Sequence, residues 1–491
     1  MSRNLLLAID VGSSSCRSVL VSPEGVIVSE GRRAVEWKYP QRNWVEMDPV
    51  ELWRQTRSAI ADSISGFDPK DIIGVGITSH RETAVMWDRS TGVPVHNAVV
   101  WISQQTNEIV KRWDRENIAP IFSKKTGLRN DSFFSAAKVV WLLENVPGLR
   151  SRAQAGEIAF GTIDSWILWN LTGGKVHATD PSCASRTALL NLETCQWDEE
   201  IAELLHIPFS IFPKLSPSDG DFGKVDSSII SSQPPIRAII ADQQAGMFGQ
   251  GCTTNGSMKN TFGTAAVLTI NTGSEPLPVP GLTASVGWSV QGKTVYEAEG
   301  VVFHSGQSLS WLKESMGISF SSDNVDEIIQ SVASSGGVYM VPAFGGMCAP
   351  HWNRDARASI TGISLETNQA HIIRSAVEAM VYQTVDILQL PDVKALKTTT
   401  LKVDGGGSRS EWLCQFLADI GNIEVVRPRE LERTSLGCAF VAGIALGIWK
   451  DHEDAASTWS IDRSFQPRML QEERESLYSG WQRALNQVVS T

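Results

Sequence analysis

In this 491-residue chain the residue best placed for proton chemistry is Asp242. It follows the apolar run Ala238-Ile239-Ile240-Ala241 and opens the segment Asp242-Gln243-Gln244-Ala245-Gly246. A carboxylate ending a buried strand is held still, partly dehydrated and aimed outward, which suits a general base. The same placement suits an ordinary helix cap, and the segment alone does not separate the two readings.

Three other clusters offer complementary chemistry. In Asp10-Val11-Gly12-Ser13-Ser14-Ser15-Cys16-Arg17 the glycine lets backbone amides approach an anion, the serines add donors, and Asp10 is placed to hold magnesium through waters; a plain hairpin turn fits the pattern equally. Thr261-Phe262-Gly263-Thr264 supplies a second such turn, and two facing turns suit a nucleotide held between domains. Leu401-Lys402-Val403-Asp404-Gly405-Gly406-Gly407-Ser408 reads as a strand ending in glycines that leave space for a flat purine, before a helix over 411–420. Ser79-His80-Arg81-Glu82-Thr83 follows another strand, and Trp101 ends the run Ala98-Val99-Val100. An adjacent Arg and Glu satisfy a vicinal diol and an indole face suits polyol C–H groups, although an ion pair and a core tryptophan account for them too.

One motif is rejected. Gly287-Trp288-Ser289-Val290-Gln291-Gly292-Lys293-Thr294 matches a P-loop, but that loop needs a helix after it, and Thr294-Val295-Tyr296-Glu297-Ala298-Glu299 alternates as a strand does. Gln291-Gly292 therefore reads as a hairpin turn. His80, His96, His304 and His351 lack metal-ligand spacing and read as structural.

The elements that must position these groups are legible in outline. Leu5–Ile9, Ser18–Val21 and Val26–Val28 read as a three-stranded meander; Asp48 and Pro49 open a helix to Ser63; Ile72–Thr78 is a strand. Strands alternate with helices to Asp242, and the pattern restarts after Gln250, so two related α/β halves are expected, over residues 1–248 and 249–491. The length also exceeds what one core organises, and a cleft between halves is the natural ligand site. A formal charge of -11 argues against general affinity for nucleic acid or anionic membranes. Seven scattered cysteines read as reduced thiols, the apolar run after Met1–Asn4 is too short for a signal peptide, and no segment reads as a membrane span, so a cytoplasmic protein is expected.

Taken in order, AIDVGSSSCRSV, WVEMDP, SHRETAVMW, AVVW, FFSAAKVVWLLEN, DQQAGMFGQ, KNTFGT, VPAFGG, LKVDGGGS and TSLGCAFVAG make the chain resemble the FGGY carbohydrate kinases over nearly its whole length. The resemblance implies two ribonuclease-H-like, actin-like ATPase domains with ATP and an alcohol meeting in the cleft. It implies Asp242 as the base and Asp10 beside Mg2+. Gly12, Ser13, Ser14 and Arg17 would form the first phosphate turn and Gly263 and Thr264 the second, with Gly306, Ser310, Gly406 and Ser410 near the nucleotide. Arg81, Glu82, Trp101, Phe134, Asp242, Gln243 and Val267 would surround a small polyol or sugar, glycerol first, and the protein would be a homo-oligomer.

Departures from the family pattern bear on the acceptor. Phe134 stands where a tyrosine is usual and Val267 where an aromatic ring is usual, which would admit a tetritol or ketose. Ser310 and Ser410 replace longer amides without removing a phosphate contact, and the segment from Phe222 to Arg237 lacks a glycine-rich basic loop used for regulation in some members. An actin-like ATP switch without a small-molecule acceptor is the reading from another class, and the Arg81-Glu82 pair and Asp242 speak against it.

Overall fold

Apolar runs separated by turn residues build the expected meander, Leu5–Val11 (β1), Ser15–Val21 (β2) and Ile27–Ala34 (β3), in the computed structural model, which describes residues 4–321 and 324–489. The first three residues of the segment read for targeting lie outside that range. The helix Pro49–Ile64 (α1) covers β2 and β3, and the Asp48 carboxylate accepts from the Val50 and Glu51 amides at 3.0 and 3.4 Å. Ile72–Ser79 (β4) lies parallel to β1. Beyond the helix Ser135–Asn145 (α2), Ile236–Ala241 (β5) lies parallel to β4, giving the order β5-β4-β1-β2-β3. Helix α3, Asp242–Gly249, leaves β5 directly.

The second sheet contains Met258–Phe262 (β6), Ala266–Gly273 (β7), Thr283–Val290 (β8), Lys293–Val302 (β9), Thr400–Asp404 (β10), Glu424–Pro428 (β11) and Ile461–Phe465 (β12), ordered β8-β9-β7-β6-β10-β11-β12. Here β6 runs antiparallel to β7 and parallel to β10, and β10 parallel to β11. The relations of β1 to β2 and β4, and of β4 to β5, are the same, so the two halves repeat one topology. The rejected P-loop is the β8–β9 hairpin, with Gln291 at φ 51° and Gly292 at φ 72°, both left-handed as a two-residue turn of this type requires.

Helices Gly306–Glu314 (α4), Gln369–Leu388 (α5), Glu411–Gly421 (α6) and Arg433–Ala445 (α7) complete the frame. The division expected at 248/249 falls on the end of α3, where α3 and α7 cross; a side chain on Gly437 would collide with the Ala245 carbonyl. Helix α7 also lies on β1, β4 and β5, so Leu6, Ile240, Phe248, Trp288 and Phe440 share one apolar cluster and the second half is laced into the first. Among the described residues no helix is long and apolar enough to cross a membrane.

Candidate active site

Because β1, β4 and β5 are parallel, their carboxyl ends share one edge: Asp10 lies opposite Thr78, Thr78 opposite Ile240, and two residues later Asp242 opens α3. In open α/β sheets ligands bind at this edge. The second sheet presents its own edge, with Thr261 of β6 opposite Asp404 of β10, and these two share a cavity with Arg17 of β2 and Arg32 of β3 from the first sheet.

Asp242 keeps 23% of its side chain exposed, while Arg81 beside it is buried. Its Oδ1 stands 3.3 Å from Arg81 Nε and accepts from the Gln243 amide at 2.7 Å. Burial raises the Asp242 carboxyl above the ordinary carboxylate range, and Arg81 opposes that shift. Arg81 donates to Glu299 at 2.6 Å, and Arg186, fully buried, reaches Glu82 and Glu299 at 2.7 Å each. Glu82 sits at φ 62°, a conformation that costs a β-carbon residue about 1–3 kcal/mol and is retained where surroundings over-determine it. The residue reading found Arg81 and Glu82 but missed Arg186, Glu297 and Glu299. The two glutamates at alternate positions of an apolar strand were an available signal; Arg186 left none.

Beside this network lies an aromatic wall. Trp101 meets Phe133 at 5.6 Å and Phe303 at 6.4 Å between ring centroids, and Phe133 meets Phe303 at 5.7 Å. The structure therefore brings Phe133 to Trp101, one residue before the position expected. Phe134 lies behind it, under the Arg186 guanidinium at 5.4 Å. Val267 is buried on β7 opposite Val301, and the ring that reaches Trp101 from this strand pair is Phe303, just past β9. Lys138 of α2 holds the wall's backbone, its ammonium donating to the carbonyls of Ser132, Phe133 and Phe134 at 2.8, 2.5 and 3.2 Å. Burial pulls that ammonium down to about 7.

Gln243 faces the other half, where its Oε1 accepts from Lys259 at 2.7 Å; Lys259 donates to Thr261 at 2.6 Å, and Thr261 to Asp404 at 2.5 Å. A cavity of about 340 Å³ opens there, lined by Arg17, Arg32, Thr261, Asp404, Gly406 and Arg409 among others. Of these, Arg32 and Arg409 escaped the residue reading. Arg17 pairs with Glu30 at 3.0 Å and with Glu432 from the opposite half. Gly12 closes the first turn by donating to the Ser15 carbonyl at 3.0 Å, while the Ser13 and Ser14 carbonyls accept from Trp37 and Val35. At the second turn, between β6 and β7, Gly263 donates to Ala265 at 3.0 Å and its carbonyl accepts from Gly306 at 3.1 Å; Thr264 accepts from Gln307.

A Cβ on Gly306 would stand 2.7 Å from the Gly263 carbonyl oxygen, so only glycine lets the start of α4 touch this turn. Gly306→Ala is expected to weaken ATP binding by about tenfold, ~1.4 kcal/mol, as read by calorimetric titration, with acceptor binding unaffected. Ser310 lies one turn further along α4, exposed. Ser410 is occupied elsewhere: it caps α6, accepting from Leu413 at 3.0 Å and donating to Asp326.

The fit to magnesium rests on Asp10. Its carboxyl accepts from Ser435 at 3.2 Å, and burial raises it to about 6, with Arg17 opposing and the nearby Asp242 charge adding. Among the described residues no three His, Cys, Asp or Glu side chains form a cage. A single buried carboxylate fits an ion that takes its remaining ligands from phosphate and water. His80 turns away, its Nδ1 at 2.9 Å from the Val11 carbonyl.

Models of the FGGY family of carbohydrate kinases match residues 5–249 with the N-terminal domain and 258–446 with the C-terminal domain. The chain is 43% identical to the glycerol kinase of Chromobacterium violaceum over 490 residues, covering 99% of this chain and 98% of that protein. It is 41% identical to glycerol kinase 2 of Thermotoga maritima, covering 98% of each. The Plasmodium falciparum glycerol kinase with ADP superimposes with a TM-score of 0.90 at 31% identity, over 99% of this chain and 98% of that one. A ligand-bound xylulose kinase from Lactobacillus acidophilus shares the fold with a TM-score of 0.87 at 20% identity, over 99% of each chain.

Proposed function

The chain belongs to the FGGY family of carbohydrate kinases and is an ATP-dependent phosphotransferase, and from that premise we propose that its acceptor is glycerol and its product glycerol 3-phosphate. The observation that carries this reading is Asp242, partly exposed at the sheet edge and 3.3 Å from Arg81, in a charge network that the Trp101–Phe133–Phe303 wall adjoins through Phe134 and Arg186. The glycerol kinases among the relatives support the choice of acceptor.

Asp242 takes the proton of a terminal hydroxyl as that oxygen attacks the γ-phosphorus, and the bond to the β–γ bridging oxygen breaks to release ADP. The transition state is loose, so positioning and charge stabilisation dominate over covalent chemistry. A base whose carboxyl is raised by burial gains more from accepting the proton than a solvated one. Arg81 and Glu82 present a donor and an acceptor to adjacent hydroxyls, while the indole and phenyl faces cover the C–H surface. The turns around Gly12 and Gly263, with Arg17, Arg32 and Arg409, offer amides and guanidiniums to phosphate oxygens. Magnesium, held by Asp10 with phosphate and water, would neutralise phosphate charge.

A coupled ADP-release assay over glycerol, erythritol and ribulose tests the proposal. Glycerol is expected to show the highest kcat/KM. A higher value for erythritol or ribulose moves the acceptor to that class, and ADP release unmoved by every acceptor removes the kinase role.

A further inference from the structure

Beneath the acceptor side of the cleft two guanidiniums, Arg81 and Arg186, meet four carboxyls, Glu82, Asp242, Glu297 and Glu299. With all four ionised this nearly dry volume would carry an excess of two negative charges, which burial strongly disfavours. Three of the acids have a close cation: Glu299 takes both arginines, Glu82 takes Arg186 at 2.7 Å, and Asp242 takes Arg81 at 3.3 Å and borders the cleft.

Glu297 differs. It is fully buried and its nearest guanidinium, Arg81, is 3.9 Å away. Its Oε1 accepts from two neutral donors, Gln244 at 2.6 Å and Ser285 at 2.8 Å, and its Oε2 meets no hydrogen-bond partner among the described residues. This is the carboxyl that the geometry leaves to hold a proton. Burial raises it to about 7, Glu299 adds to the shift, and Arg81 and Arg186 oppose it.

We propose that Glu297 is a positioning residue that works in its neutral form. As an acid it anchors Gln244 and leaves Arg81 to Asp242; once its proton passes to water, the new carboxylate competes with Asp242 for the Arg81 guanidinium. The inference rests on Asp242 being the base. The charged groups facing Glu297 are Glu299 on its own strand, Arg81 from the loop after β4 and Arg186. Its contacts from α3 and β8, Gln244 and Ser285, do not titrate. Lys259 on β6 acts on Asp242 and Glu299. Lys138 also titrates near neutrality but lies beyond Glu82, so any limb it adds is common to the proteins compared below.

Glu297→Gln keeps the acceptor oxygen and cannot ionise. In wild type, kcat/KM for the acceptor is expected to fall about tenfold between about pH 6 and pH 8.5. In the variant this limb is lost; an identical limb in both proteins overturns the proposal. A second readout needs no acceptor. A carboxyl raised on folding contributes stability below its unfolded value that is lost as pH rises through its folded value, here from about 4.5 to about 7. The thermal midpoint of the variant should therefore gain on wild type as pH rises from 5 to 8. An unchanged difference counts against the proposal. Should the variant not fold, infrared spectra of wild type labelled with 13C-glutamate decide: a glutamic acid carbonyl band that vanishes near neutrality supports it, and no such titrating band overturns it. If no acceptor is phosphorylated at any pH, the kinase reading fails while these two readouts still report on Glu297.

Discussion

Asp242→Asn is expected to lower kcat by about two to four orders of magnitude while leaving ATP affinity within about twofold of wild type. The amide is isosteric, and its oxygen still accepts from the Gln243 amide as Asp242 Oδ1 does at 2.7 Å. Arg81 loses one carboxylate but keeps Glu299 at 2.6 Å, so its charge stays compensated and the fold should hold. What disappears is the ability to take a proton from the attacking hydroxyl, a loss felt in the transition state and therefore in kcat more than in KM. Rapid-quench measurement of the first turnover, alongside ATP titration, separates the two quantities. A variant that transfers phosphoryl at more than about a third of the wild-type rate would take the base role from Asp242.

Arg186→Met should cost about 3–5 kcal/mol of stability, the largest structural effect expected from a single change at this site. The guanidinium lies fully buried between Glu82 and Glu299, 2.7 Å from each, and methionine fills much of its volume without its charge. Removing one partner from a buried ionic cluster strands the others, here two carboxylates left with Arg81 as their one close guanidinium. Denaturant unfolding monitored by tryptophan fluorescence reads the loss. The sign of the pH dependence follows. Without Arg186 the glutamates favour their protonated forms more strongly in the fold, so the penalty is smaller at pH 5 than at pH 8. Adding Glu82→Gln removes one stranded charge and should restore part of the stability. A single variant within about 1 kcal/mol of wild type would mean that the arginine is not compensating these acids.

Much of the frame was legible because it follows from local rules. The meander, the Asp48-capped helix, the strand ending before Asp242 and the glycine-bearing turns depend on residues within a few positions of one another. So did rejection of the P-loop match, since strand alternation after Gly292 was enough to call for a hairpin. The aromatic wall was read less well. Phe133 and Phe134 are neighbours with the same side chain, their rings 5.2 Å apart and perpendicular, and only the path of the chain between Asp131 and α2 decides which ring meets Trp101.

The sequence by itself determined the two-fold α/β plan, the acid at the strand end and the pair of glycine-bearing turns, because each is written in short-range periodicity and turn chemistry. The tertiary structure alone decided which charges share a burial. Arg81 meets Glu299 across 218 residues and Asp10 meets Ser435 across 425, and no local pattern encodes such pairings. They arise because parallel strands gather their carboxyl ends at one edge, where dehydration makes every unpaired charge costly and so dictates which acid keeps a proton.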